Sequence, residues 1–512
     1  MLEHSILGKL YAVWIRSGTF ALLQWIYRGL YRAVTGSAIL RAIFQEGRLE
    51  RAFRDSLTAR VLDALSDAVR RLFGGVNRLL GLSAAADGSL ALRSLRGSAL
   101  VGELGTFEGL FCVFLMVMFL VPHKYWNNLY AVLAAFAFLS LYLLLAGAGR
   151  RRWEAPATVL GLGGTLFVLA LVLSMGFTIA RRDSLRVLLF FLASLSFCYV
   201  IAVDFREPAR LRRLLAHLYV ALLCISLYAI IQNVFGLVAV NESFTDVAAN
   251  KGVPGRVYAT LDNPINLSEF ILLFMPLGAA FAAGAKKPWL RVLLALGLAF
   301  PALAMLMTYA RGGWIAILLA AGVFTFFCNK RLIPALFVLI LLAIPFLPGS
   351  VMTRLATMAN SKDSSALHRL QIWQGVARLL RDDHRFFTGI GLGPECFRLI
   401  YPSYSMYTAK YGAYHTQMHY LELVLELGVM GLVSFLYLMG KTLGRAGAGI
   451  RGGSREIRLI LTACISSVAA LALVGFIEYI WFYQRVMFAF FIYLGILLAA
   501  AGCARDQAAA AK

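Results

Sequence analysis

The chain has 512 residues, 60% hydrophobic and 15% charged, against roughly 45–50% and 25% for ordinary soluble domains, so a soluble globular protein is excluded. Its formal charge of +23 does not mark a nucleic-acid binder, because Arg and Lys fall in short clusters between apolar runs, as the positive-inside rule describes. Seven cysteines form no CxxC pair and lie mostly in apolar runs, which excludes a disulfide framework or zinc ribbon.

Residues 1–100 carry fourteen Lys or Arg against seven Asp or Glu. Trp14, Phe20, Leu23, Ile26, Tyr27 and Leu30 alternate with Arg16, Arg28 and Arg32. This pattern predicts an amphipathic helix lying on an anionic membrane face, since a span here would bury Arg16 and Arg28 at substantial cost. A second amphipathic stretch is expected over about 57–81, and 83–100 reads as a linker. The first strongly apolar block begins beyond residue 100, so no cleavable signal peptide is expected and insertion would use the first span.

Apolar blocks of membrane-crossing length predict twelve spans, at about 106–122, 127–148, 157–180, 184–203, 213–236, 265–284, 289–309, 312–328, 331–348, 418–439, 457–480 and 484–503. The expected fold is therefore an all-α polytopic membrane domain over 106–503, following a basic cytoplasmic or interfacial extension over 1–100. With both termini cytoplasmic, the clusters Arg150–Arg152, Arg206–Arg213, Lys286–Lys287, Lys330–Arg331 and Lys441–Arg458 fall inside, and only Arg181–Arg182 disagrees. Two long connections are then extracytoplasmic, about 237–264 and 349–417. The second carries Pro394, Pro402, many aromatic residues and an Arg-rich helical stretch near 365–382; a loop of this length is expected to be functional, as a cap.

Three segments bring ionisable residues to the extracytoplasmic helix ends. Arg256 precedes Asp262, Asn263, Pro264 and Asn266, a composition that also suits capping of the following helix. In Thr308-Tyr-Ala-Arg311-Gly-Gly-Trp314 the arginine stands on a tight break between two apolar runs, where it can either snorkel to lipid phosphates or approach a polyanion. The third segment holds His415 and His419, four residues apart, then Glu422 and Glu426. No Cys partner or HExxH pattern accompanies the histidines, so no metal site is expected.

Guanidinium groups suit phosphate or diphosphate, and a histidine titrating near neutrality can take a proton from a sugar hydroxyl. Beside a membrane, that combination suits group transfer from a polyisoprenyl diphosphate, the leaving group being stabilised electrostatically without a metal. A glycolipid transporter or flippase is the alternative, but it would place ionisable residues near mid-membrane in paired broken helices. No half-to-half repeat of that kind is visible.

These motifs, in this order, resemble the O-antigen ligase and polymerase family over roughly 106–503: the basic Asn-Pro segment, the TYARGGW turn, His368-Arg369-Leu-Gln-Ile-Trp373, Gly389-Ile-Gly-Leu-Gly393, and the Glu426–Gly431 segment. The resemblance implies a GT-C type membrane glycosyltransferase without cofactors, moving a glycan from an undecaprenyl diphosphate donor to a glycan or glycolipid acceptor. It further implies that Arg256 and Arg311 bind the donor diphosphate, Arg311 also serving catalysis, and that Arg369 and Trp373 belong to the cap covering the substrate. Asn263, Glu422, Arg369 and Trp373 are expected to contact substrate, with Glu422 or Asp262 as the base if neither histidine reaches the acceptor. The family places a histidine eleven residues before the first glycine of a GxxG pair; counting back from Gly428 arrives at Gln417. His415 is thus the first candidate for the catalytic histidine and His419 the second. The implied location is a bacterial cell membrane, with the active site extracytoplasmic, anionic lipids under the N-terminal region and polysaccharide-assembly proteins as possible partners.

Overall fold

The computed structural model describes residues 6–45, 47–82, 102–238, 255–356, 364–405 and 413–510, with isolated positions between 85 and 98. Most of the expected linker over 83–100, and residues 239–254 of the first long connection, lie outside the described residues. Among the described residues all regular structure is helical. An apolar chain in lipid must satisfy its backbone within each segment, which helices do.

The N-terminal extension forms α1 (Ile6–Ile15), α2 (Gly18–Gly36), α3 (Ala38–Phe44), α4 (Arg48–Asp55) and α5 (Leu57–Leu79). The amphipathic stretch expected from Trp14 to Arg32 is broken at Arg16–Ser17, where Ser17 Oγ accepts from Phe20 N at 3.2 Å and restarts the helix. In α5, Ser56 caps the N-terminus by accepting from Ala59 N. This helix docks on the membrane domain: Asn77 donates to Leu144 O at 3.4 Å, and Trp153 Nε1–H donates to Asp67 at 2.7 Å. Its opposite face leaves Leu57, Val61, Leu65, Val69, Leu72 and Val76 exposed, the stripe expected of a helix resting on a membrane.

The membrane domain follows as α6 (Phe107–Leu120), α7 (Asn128–Gly147), α8 (Pro156–Ser174), α9 (Arg181–Asp204), α10 (Pro208–Val234), α11 (Pro264–Gly284), α12 (Pro288–Gly297), α13 (Ala299–Met307), α14 (Arg311–Asn329) and α15 (Ile333–Ala343). The expected cap region holds α16 (Gly349–Ala356), α17 (Ser364–Asp382) and α18 (Pro394–Ile400), and the chain ends with α19 (His419–Gly452), α20 (Arg455–Val474) and α21 (Gln484–Ala510). Among the described residues ten stretches are long and apolar enough to cross a membrane, against the twelve drawn from sequence. The difference lies at two places. The first block yields a helix of only 14 residues, Phe107–Leu120, and the blocks at 312–328 and 331–348 join into one apolar run, Arg311–Phe346.

Helix α21 forms the centre, buried along most of its length, whereas α14 and α15 expose apolar side chains such as Leu318, Phe327, Leu339 and Leu342. That exposed periphery is the surface lipid would cover. At one end of the bundle the basic clusters are braced by carboxylates: Arg151 meets Glu108 at 2.6 Å and Asp204 at 3.1 Å, Arg206 meets Glu154 at 2.6 Å, and Arg152 meets Asp506 at 2.7 Å. These arginines therefore tie helix ends together as well as carrying the charge asymmetry. The chemistry-bearing segments lie at the opposite end.

The cap is anchored by its own apolar cluster, in which Ile372, Val376 and Leu379 of α17 pack with Phe397, Tyr401 and Leu425. Gly428 interrupts α19 at φ 72°, and the Gly389–Gly393 segment runs beside that break, with Ile390 N donating to Leu425 O at 2.8 Å. A side chain at Gly428 would collide with the Phe387 carbonyl. Only glycine accommodates both the left-handed backbone and this close approach.

Candidate active site

The turn at Thr308–Ala310, between α13 and α14, gathers three arginines. Tyr309 there has φ 51°, and Thr308 Oγ1 accepts from Ala310 N at 3.2 Å. Two carbonyls of the turn receive guanidinium donors: Arg256 Nε–H reaches Thr308 O at 2.8 Å, and Arg354 Nε–H reaches Tyr309 O at 3.4 Å. Arg311 begins α14 directly after the turn. Burial pushes Arg256 down to about 10, with Arg354 and Arg311 adding like-charge repulsion and Glu478 opposing it. An anion entering this corner would relieve that repulsion.

The loop between α20 and α21 is the hub that ties the other segments to this corner. Glu478 accepts from Arg369 of α17 at 2.9 Å, joining the bundle to the cap. Burial raises the Glu478 carboxyl, while Arg369 and then Arg256 pull it back down. Tyr479 O–H donates to Glu426 at 3.1 Å, and the Phe482 ring lies 4.4 Å from that of His415. Tyr483 shares a 2.7 Å hydrogen bond with His123 and accepts from Arg485 at 3.1 Å. Arg485, fully buried, also donates to the carbonyls of Met118, Val121 and Thr260, and so fixes the loop against two others.

His415 sits on a clamped turn. Trp373 Nε1–H of α17 donates to Thr416 O at 2.9 Å, while Thr416 N–H donates to Glu422 of α19 at 2.6 Å. Gln417, at φ 54°, then donates its N–H to His415 Nδ1 at 3.0 Å. With Nδ1 accepting, the neutral ring carries its proton on Nε2 and offers a donor there. Burial, and then Arg369, pushes His415 down to about 4, so the ring is neutral at physiological pH.

The sequence-derived candidates thus occupy different environments. Arg256, Arg311 and Arg369 share one electrostatic neighbourhood with Glu478, and the field of Arg369 reaches His415. Trp373 and Glu422 grip the His415 turn, and Asn263 Oδ1 caps α11 by accepting from Ile265 N at 2.8 Å. His419 is buried among aromatic rings, 4.5 Å from Trp481 and 5.3 Å from Phe435, and neither of its ring nitrogens has a hydrogen-bond partner among the described residues. Among the described residues no three His, Cys, Asp or Glu side chains gather into a metal-binding group.

Two charged members of the corner, Arg354 and Glu478, were not singled out from sequence. Glu478 carried a usable signal, because it is an acid within the apolar block drawn as a span over 457–480, where a charge is costly unless it serves a function. Backbone conformation marks the same region. Among the described residues, the non-glycines with positive φ are Ala259, Asp262, Tyr309, Gln417 and His384; the first four lie on the segments that build this face. Such strain persists where surrounding contacts hold it, often at functional sites.

Among curated proteins none matches this chain. Residues 294–436, which include Arg311, Arg354, Arg369 and His415, match the family model described as O-antigen ligase, so this part of the chain carries an O-antigen ligase family domain.

Proposed function

We propose that this membrane protein transfers a preassembled glycan from an undecaprenyl diphosphate-linked donor to a hydroxyl of a glycan or glycolipid acceptor, in the manner of an O-antigen ligase or polysaccharide polymerase. The observation that carries this reading is the gathering of Arg256, Arg311 and Arg354 on one turn, with Arg369 joined to them through Glu478. Guanidinium forks suit diphosphate oxygens. Four held in place before substrate arrives would stabilise the charge that grows on the leaving diphosphate, with no metal required.

In this reading the cap helix α17 closes over the donor headgroup, and His415 serves as an Nε2–H donor to a substrate oxygen. His415 is preferred over His419 because it stands within the field of Arg369, whereas His419 is enclosed by aromatic rings. Trp373 and Glu422 act by positioning the His415 turn. The positive-inside pattern supports a bacterial cell-membrane location with both termini cytoplasmic and this site extracytoplasmic. The apolar stripe of α5 and the arginines of the extension suit anionic lipid beneath it.

The test is a reconstituted reaction. Purified protein in liposomes receives an undecaprenyl diphosphate-linked glycan and either a lipid A-core acceptor or a second repeat-unit donor, and released lipid diphosphate and glycan product are followed together. Stoichiometric appearance of both is expected with one acceptor class. Movement of the donor across the bilayer without cleavage would replace this reading with transport.

A further inference from the structure

Resting on the donor-diphosphate reading, the next question is which group takes the acceptor's proton. The His415 ring presents Nε2–H in its neutral form, and Glu422 and Glu426 are engaged with the backbone N–H groups of Thr416 and Gly393 at 2.6 and 2.9 Å. Glu478 differs from both. Its carboxylate is held by a guanidinium that belongs to the cap and lies beside the arginines assigned to the donor.

We propose that Arg369 exchanges Glu478 for the donor's diphosphate, and that the carboxylate released by this exchange is the general base that accepts the proton of the attacking hydroxyl. Both side chains are largely shielded from water, with 19% of Arg369 and 17% of Glu478 exposed. A diphosphate in the arginine corner brings negative charge next to an existing carboxylate, and in so shielded a place two anions cannot share the same cations at no cost. The more highly charged diphosphate takes the guanidinium, whose planar fork fits it at least as well as the carboxylate.

Groups from several elements face Glu478. Burial raises the Glu478 carboxyl; from α17 Arg369, and from the segment before α11 Arg256, act against that and favour the carboxylate. From α11 comes Glu269, a buried acid with one oxygen lacking a hydrogen-bond partner among the described residues. On its own loop the neighbour is the buried Tyr479, engaged with Glu426. Once the diphosphate occupies the two arginines, its own negative charge favours a proton on Glu478, so binding of the donor strengthens the base.

The reaction then balances within the site. The acceptor O–H proton passes to the Glu478 carboxylate as the acceptor oxygen bonds to the anomeric carbon. The bond from that carbon to the diphosphate oxygen breaks, and its electron pair leaves with the lipid diphosphate. One negative charge moves from Glu478 to the leaving group, and the charge of the corner is unchanged. Departure of the lipid diphosphate returns Arg369 to Glu478 and expels the proton to water.

Proton uptake on binding tests this independently of turnover. Farnesyl diphosphate is titrated into the detergent-solubilised full chain by calorimetry in buffers of different ionisation enthalpy, comparing wild type, Glu478→Gln and Arg369→Gln. The wild type is expected to take up a fraction of a proton per bound diphosphate near neutral pH, more at lower pH, the fraction still ionised being the one competent as base; Glu478→Gln should lack this uptake and bind at least as tightly. Arg369→Gln should bind more weakly and show a smaller uptake, because its Glu478 is already relieved of that partner. Equal proton uptake in wild type and Arg369→Gln overturns the exchange even if Glu478→Gln fails to fold. In the transfer assay Glu478→Gln should lose at least about 100-fold in kcat and with it the acid limb of the pH profile, whereas Glu478→Asp keeps that limb at a lower rate. Unchanged transfer by Glu478→Gln overturns the base assignment while leaving the donor site standing; absence of diphosphate binding by the wild type would instead remove the reading on which this rests.

Discussion

Arg369, on helix α17, reaches 2.9 Å across to Glu478, on the loop that leads into the central helix. Through this contact α17 is joined to the same electrostatic neighbourhood as Arg256, Arg354 and Arg311. Under the proposed exchange, a charge that substrate can claim would give closure and chemistry a common trigger.

The clamp on Thr416 should be separable from the donor site. Trp373→Phe removes one hydrogen bond while keeping most of the apolar packing, at a cost of about 1 kcal/mol in stability. Transfer should fall by about 10-fold, mostly in kcat, while diphosphate affinity stays near wild type. Single-turnover rates set beside diphosphate titrations check this; a loss confined to affinity would place Trp373 in the donor pocket instead.

Glu422→Leu should be the more damaging change at the same turn. It strands the Thr416 N–H, buried against α19, and an unpaired buried donor costs about 1–3 kcal/mol. Glu422→Gln, which retains a carbonyl acceptor, should recover most of the lost thermal stability. Equal melting temperatures for the Leu and Gln variants would contradict the clamp.

His415 makes a signed pH prediction. Its folded value, about 4, lies below the ordinary 6.5, so the unfolded chain binds this proton first as pH falls. Stability is therefore undiminished above about 6.5 and is lost on descending toward 4. His415→Asn removes this contribution, so the stability difference between wild type and variant should shift against wild type across that interval. Thermal unfolding at closely spaced pH values measures it, and a difference independent of pH would mean the ring is protonated or solvated in the fold.

Much of this was legible in the sequence, for physical reasons that differ by residue. Spans declare themselves because lipid demands long apolar helices, and the count slipped only where a block was short, at Phe107–Leu120, or where Lys330–Leu332 turned without leaving the apolar run. Arg311 was visible because a charge in a tight break between spans has few structural reasons to be there. The capping composition around Pro264 likewise read directly as the Asn263 cap. Arg354 was hidden because its importance lies in reaching the Tyr309 carbonyl, 45 residues away in sequence, and no local pattern encodes that reach. The two histidines looked equivalent at a spacing of four. What separates them is the loop after α20, whose Trp481 encloses His419 and whose Phe482 stacks near His415.

The cap's seat on α19 depends on Gly428. Gly428→Ala places a side chain at φ 72° against the Phe387 carbonyl, which should cost about 1–3 kcal/mol and loosen the cap before the bundle. Limited proteolysis should cut the 349–417 region faster in this variant while the membrane core stays resistant. Unaltered cleavage would mean the contact is not needed to seat the cap.

The arginine corner itself is tested most directly by donor cleavage in Arg311→Ala and Arg256→Ala, reconstituted in liposomes and compared with wild type at matched thermal stability. Each lost charge-assisted contact is worth about 1.5–3 kcal/mol, so release of lipid diphosphate should fall by about 10- to 100-fold in each variant, with Arg256→Lys partly restored. Wild-type release of lipid diphosphate by both alanine variants would contradict a diphosphate site at this turn.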